Sequence, residues 1–306
     1  MMPTDRREFL KTMGALSASL AVPQARAATT TPAPALMLPQ IPFGKYRLGR
    51  LICGSNPFNG GSHLSGFLNR EMKSFFTPEQ LMKTLRRCQE VGINCWQISG
   101  VVNLAAYRRF VDEGGRMHMI SLGRNPAELP QLAQGGCIGV AHHGEATDQL
   151  FKAGKFGEVH DFLQRVRDAG MMAGVSTHMP AVVDAIESKG WAPDFYMTCV
   201  YERNRGPEEL KKLLGRVPLP TNEVYLEEDP PRMFATIRQT KQPCLAFKIL
   251  AAGRVCDRKE NVERAFREAL QAIKPTDAVI VGIYDRYSDQ PAENAALVRR
   301  YGTSIS

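Results

Sequence analysis

Two adjacent histidines end a short apolar run in Cys137–Asp148, C-I-G-V-A-H-H-G-E-A-T-D. The run is too short for a helix and follows Gly135-Gly136, so it reads as a buried strand. Titratable residues at the carboxyl end of such a strand mark the sites of α/β proteins. The pattern recurs: His178 follows Met172–Thr177, Glu202 follows Phe195–Tyr201, and Lys248 interrupts Cys244–Leu250. One of His142 and His143, with His178 and Glu202, makes the two-imidazole, one-carboxylate set of a divalent metal with open positions. The same groups serve equally as a proton-transfer cluster. A lysine inside a buried strand is costly unless paired or functional, so Lys248 joins the catalytic group. Asn56, His63, Gln97, Arg124, Tyr201 and Tyr284 stand at other strand ends as substrate-binding candidates. Asn59 reads as an ordinary turn residue, His118 as a core or barrel-bottom histidine and His160 as a solvent-facing helix residue. Arg203 and Arg205 read as surface charge.

These residues need elements to hold them. Eight strand-like runs occur: Leu51–Ser55, Asn94–Ser99, Met117–Leu122, Cys137–Ala141, Met172–Thr177, Phe195–Tyr201, Cys244–Leu250 and Ala278–Ile283. Helical patterns fill most of the gaps. One is Pro78–Val91, with Thr77 as N-cap, Gln80 at the capping-box position and Gly92 as the stop. Eight two-sided apolar strands alternating with amphipathic helices predict an α/β fold, a (β/α)8 barrel forming a single domain. No G-x-G-x-x-G turn follows any strand, which counts against a doubly wound open sheet. Ile41–Arg50, centred on Gly44-Lys45, predicts a short hairpin ahead of the barrel.

The chain has 306 residues, 43% apolar and 23% charged, ordinary for a globular protein. Residues 1–27 stand apart. Asp5-Arg6-Arg7-Glu8-Phe9-Leu10-Lys11, the apolar run Met13–Val22 and Ala25-Arg26-Ala27 form a charged region, a hydrophobic region and a small-x-small cleavage site. The R-R-x-F-L-K string resembles the twin-arginine export signal. Its implied partner is the machinery that moves folded cargo, and the implied location is periplasmic or secreted, without a stable membrane anchor. Residues 28–40 are a Pro/Thr/Ala tether, and 41–306 the barrel. The seven cysteines lack disulfide or zinc spacing and read as core thiols. The net charge of +8 is scattered without an aromatic-studded basic stripe, which argues against nucleic acid and leaves a small molecule as the substrate.

From the hairpin to the carboxyl end, the order of segments resembles the aldo-keto reductase fold superfamily. L-G-R-L-I-C-G-S, V-G-I-N-C-W-Q-I-S-G, G-V-A-H-H, G-V-S-T-H-M-P and V-G-I-Y-D-R-Y-S-D-Q-P-A-E-N are similar to its successive strand ends. That resemblance implies a barrel reducing carbonyls with NAD(P), with Glu293 and Asn294 on the cofactor side and Arg286 and Ser288 in place of the phosphate-binding lysine and serine. Of the catalytic aspartate, tyrosine, lysine and histidine, only the histidine remains, as His142 or His143. Gln97 takes the aspartate position, and the tyrosine position falls near Val102, with Tyr107 the nearest candidate. Leu122-Gly123-Arg124 offers no lysine. A tyrosine donor depends on a neighbouring base to lower its pKa, so the hydride-transfer machinery is incomplete.

The leading expectation is therefore an exported barrel enzyme acting on a small polar carbonyl or sugar-derived substrate. Its chemistry is histidine–carboxylate acid–base or metal-assisted, of lyase, hydratase, isomerase or hydrolase type. A divergent oxidoreductase with tightly bound NAD(P), and a non-catalytic ligand-binding barrel, are the alternatives.

Overall fold

The computed structural model describes residues 37–220 and 223–303. The signal sequence and most of the tether expected at the amino terminus lie outside the described residues. Strands β1 (Gln40–Phe43) and β2 (Tyr46–Gly49) pair antiparallel as the expected hairpin, with Gly44 at φ +57° supplying the left-handed turn. Eight parallel strands then close a barrel. They are β3 (Leu51–Gly54), β4 (Cys95–Ser99), β5 (His118–Gly123), β6 (Cys137–His142), β7 (Met172–Thr177), β8 (Phe195–Cys199), β9 (Cys244–Phe247) and β10 (Ala278–Gly282). β10 pairs with β3, which completes the (β/α)8 topology.

The hairpin plugs the amino-terminal end. Ile41, Phe43 and Leu48 are fully buried in one cluster with the inward residues Ile52, Ile120, Phe195 and Leu245, and the Phe43 and Phe195 rings lie 4.9 Å apart. The larger apolar cluster lies outside the strands, against the helices. His118 opens β5 beside the hairpin, its ring 5.2 Å from Tyr46. His160 is half-buried against Trp191 rather than solvated. Thr77 does cap the helix Pro78–Glu90, accepting a hydrogen bond from the Gln80 amide at 3.2 Å.

Two helices near the site follow no periodic run noted in the sequence. Helix α1 (Gly66–Phe75) lies in the long connection after β3, with Ser65 capping it by accepting from Leu68 N. Helix α2 (Gly144–Lys152) begins directly after His143. Its start needs a glycine, because a Cβ on Gly144 would lie 2.9 Å from Ser176 Oγ and 3.1 Å from His178 Cε1. That close approach seats the helix against the end of β7.

Candidate functional site

The phase of each strand decides which polar residues reach the barrel lumen. In β6 the register slips between Met119 and Ile120 of its neighbour, a bulge that resets the alternation. Val140 then faces the helices and Ala141 the lumen. His142 follows Val140 outward: its ring lies 5.0 Å from Phe162, and its Nδ1 is 2.7 Å from Thr147 Oγ1. Burial, with the charge of His143 next to it, lowers His142 to about 4. His143 turns inward, its backbone held by Gly123 O and its buried Nδ1 without a partner among the described residues.

His178 follows β7 on the inward side and meets Asp148 of α2. The His178 Nδ1 to Asp148 Oδ2 distance is 2.7 Å. The same carboxylate accepts hydrogen bonds from the Thr177 hydroxyl at 2.5 Å, the His178 amide at 3.2 Å and the Asn204 side chain at 3.3 Å. A carboxylate takes the ring proton at Nδ1, leaving Nε2 as a base. Burial pushes the imidazole below its ordinary value even though Asp148 pulls it up, with Arg203 and Lys248 adding to the depression. Sequence reasoning passed over Asp148, whose signal is its position four residues after Gly144 on one helix face.

Lys248 occupies the loop after β9, where strict alternation would send it toward the helices. Its backbone sits in the left-handed region at φ 62°, which breaks the alternation and delivers the side chain to a cavity of 580 Å³. Desolvation lowers the amine to about 8, with Arg203 and Arg254 repelling its charge while Cys199 and Glu223 favour it. No hydrogen bond or ion pair reaches Nζ among the described residues. His63 at φ 57° and Glu223 at φ 58° share the left-handed conformation. Glu223 receives His63 Nδ1 at 2.9 Å, an Arg203 guanidinium nitrogen and the Tyr225 hydroxyl at 2.9 Å. Burial pushes Glu223 up, but the His63 hydrogen bond and the charges of Lys248 and Arg203 outweigh it and hold the carboxyl near 2. Three non-glycine residues in left-handed backbone, electrostatically joined, cluster at this end of the barrel, the kind of strain that functional sites store. Arg203, read from sequence as surface charge, is thus part of the site.

Several expected members stand elsewhere. Glu202 points away from the lumen, its carboxylate bound by Arg205 at 3.1 Å and Arg232 at 3.0 Å. Burial raises its pKa while those two arginines lower it; Lys248 does not hold it ionised. Arg205 is itself 6% exposed and grips Asp229, so it is no surface charge. With His142 and Glu202 facing out, the expected metal set is not assembled. Among the described residues no three His, Cys, Asp or Glu side chains are grouped to hold a metal. Asn56, His63, Gln97 and Tyr284 line the cavity, whereas Arg124 is exposed beside a separate groove with His142, and Tyr201 packs on Tyr225. Ser288, Glu293 and Asn294 also line the cavity, but Arg286 pairs with Glu71 at 2.9 Å. Glu293 is occupied by Ser288 and Lys259. Tyr107 cannot replace the family's proton donor: its hydroxyl donates to Met117 O and burial pushes it up to about 12. The residues present do not fit a nicotinamide-dependent reductase.

No family profile and no curated protein sequence matches the chain. Solved structures that resemble it include two from Thermotoga maritima. One is a phospho-2-dehydro-3-deoxyheptonate aldolase, with TM-score 0.51, 14% identity, and 88% of this chain and 76% of that chain covered. The other is a truncated 3-deoxy-D-arabino-heptulosonate 7-phosphate synthase, with TM-score 0.50, 13% identity, and 86% and 91% covered. A glycerol dehydrogenase, AKR11B4 from Gluconobacter oxydans, aligns with TM-score 0.49 and 13% identity over 88% and 91% of the two chains. At these identities the likeness of the two Thermotoga maritima structures speaks for the barrel fold alone.

Proposed function

We propose that this barrel is an enzyme of lyase or isomerase type in which Lys248 supplies a reactive amine to a carbonyl substrate. One observation carries the reading: a lysine in strained backbone, at the carboxyl end of a barrel strand, lines a large cavity and is lowered to about 8 by burial. Desolvation beside other cations is how an amine becomes nucleophilic near neutral pH. The neutral Lys248 adds to the carbonyl carbon and water leaves, giving a protonated imine. Electrons of the adjacent C–H bond, or of the C–C bond to a hydroxyl-bearing carbon, flow to the imine nitrogen and give an enamine. His178 Nε2 takes the proton from that C–H bond or from that hydroxyl, whose carbon leaves as a carbonyl fragment. The imidazolium then returns the proton to the enamine carbon and restores the imine. Hydrolysis then returns the amine. Asp148 holds the imidazole in the tautomer this step needs.

Borohydride tests the reading directly. Reducing the protein in the presence of a panel of aldehydes and 2-oxo acids converts an imine to a stable secondary amine, read as added mass on the peptide containing Lys248. Lys248→Met is expected to take no label. Labelling spread over surface lysines, with none at Lys248, would overturn the proposal.

A further inference from the structure

We infer that the carbonyl compound taken by Lys248 carries a long apolar body, a lipid-like or otherwise lipophilic chain rather than a sugar. The inference deepens the Lys248 reading and rests on the walls of the same cavity. From Lys248, whose charge also reaches His178, the 580 Å³ cavity runs between the loops after β9 and β10 and under α1. Aliphatic side chains line its wall under α1: Leu68 and Met72 of α1, Ile249 and Leu250 after Lys248, and Val262 of the helix Lys259–Ala272. A polyhydroxylated chain lying against that wall would leave the hydroxyls facing it unpaired, which is strongly unfavourable. An alkyl chain leaves nothing unpaired.

The entrance agrees with the interior. Leu64 lines the cavity and is 46% exposed, and Phe67, one residue before Leu68, is 76% exposed. Tyr287 is 79% exposed with its ring 5.9 Å from Tyr284, another lining residue. Large apolar side chains left in water around a pocket mouth are expected where an apolar ligand enters. The volume suits a molecule of drug-like size, far larger than a three- or four-carbon carbonyl needs. Polar groups line the Lys248 end, where Gln97, Asn56 and His63 stand, and the β10 side and mouth, with Asp257, Lys259, Ser288, Gln290, Glu293 and Asn294, whereas the wall beneath α1 is aliphatic. That division places the reacting head at Lys248 and the tail beneath α1.

The test separates the ligand class from the Lys248 chemistry by using alcohols, which form no imine. Butan-1-ol, hexan-1-ol, octan-1-ol and decan-1-ol are titrated against 1-anilinonaphthalene-8-sulfonate bound to the folded protein. Displacement is expected to tighten about three- to fourfold per added methylene, the increment for burying one CH₂. Leu68→Asp, on a partly exposed helix face, is expected to weaken decan-1-ol at least tenfold with an unchanged melting temperature. Leu68→Trp, which fills the space instead, should do the same. Borohydride trapping at Lys248 should then favour decanal over butanal and glycolaldehyde. A displacement series flat in chain length overturns the inference, as does NADPH displacing the probe while decan-1-ol does not. A steep alcohol series with no adduct at Lys248 supports the apolar ligand and sinks the amine chemistry alone.

Discussion

Lys248 is held against its own preference, since desolvation and two neighbouring arginine charges all oppose its ionisation. The folded value of about 8 lies below the ordinary 10.5, so the unfolded chain binds this proton more tightly. Between those two values stability rises with pH, and below about pH 8 the penalty is present in full. Lys248→Met should therefore abolish adduct formation yet raise stability by about 1–2 kcal/mol at pH 7, measured by denaturant unfolding. The rate of imine formation should climb with pH and level off above about 8, where the amine is neutral. Asp148→Asn should leave the fold intact and lower turnover about 10²- to 10⁴-fold, because an amide no longer fixes the His178 tautomer. A drop in kcat without a matching rise in KM would identify positioning rather than substrate binding. Lys248 was legible in the sequence because a charge inside an apolar run is an anomaly. The choice between His142 and His143 was not, because a bulge in β6 sets the phase and nothing in C-I-G-V-A-H-H encodes it.

At the scale of elements, the eight strands were readable from continuous apolar runs punctuated by glycine, and their observed limits differ by only a few residues at the ends. Glu202 shows where that reading fails. It lies three residues past β8, where neither periodicity nor strand geometry fixes a side chain, and long-range partners take it. Arg205, Asp229 and Arg232 tie it to the helix Asp229–Gln239, which anchors the loop after β8. Glu202→Gln should accordingly leave Lys248 trapping unchanged. Asp229→Asn should cost about 1.5–3 kcal/mol, since it weakens the charge-assisted hydrogen bonds to the buried Arg205 guanidinium, which keeps Glu202 as its other carboxylate. The hairpin makes a second structural test. Phe43 fills the barrel floor against Phe195, and Phe43→Ala should cost about 3–5 kcal/mol in chemical denaturation while sparing the site at the opposite end.

For the whole molecule, fold and site follow from different kinds of information. Closure into a barrel is specified redundantly by eight strands, so it survives local misreading. The cavity forms from the loops after β3, β9 and β10, whose left-handed residues His63, Lys248, Ala251 and Ala252 no pattern of residue types announces. Among the described residues no helix is long and apolar enough to cross a membrane. Export remains a proposal carried by residues 1–27, which lie outside the described part. On that proposal, the paired Arg6 and Arg7, the run Met13–Val22 and Ala25-Arg26-Ala27 would address a transporter of folded cargo. The barrel gives that route a physical rationale. Six of its seven cysteines are buried thiols, and each buried thiol whose shift is resolved is raised by desolvation, which keeps it unreactive only while the fold is closed. A chain crossing unfolded into an oxidising compartment would expose all seven to mispairing, whereas a chain folded beforehand exposes only Cys256. Replacing Arg6 and Arg7 with lysines should leave folded, full-length precursor in the cytoplasm, read as retained mass by fractionation and immunoblotting. Rerouting the barrel through a signal for unfolded chains should yield exported protein that is disulfide-scrambled and inactive in Lys248 trapping. Export of the lysine variant at the normal level, cleaved after Ala27, would refute the twin-arginine assignment.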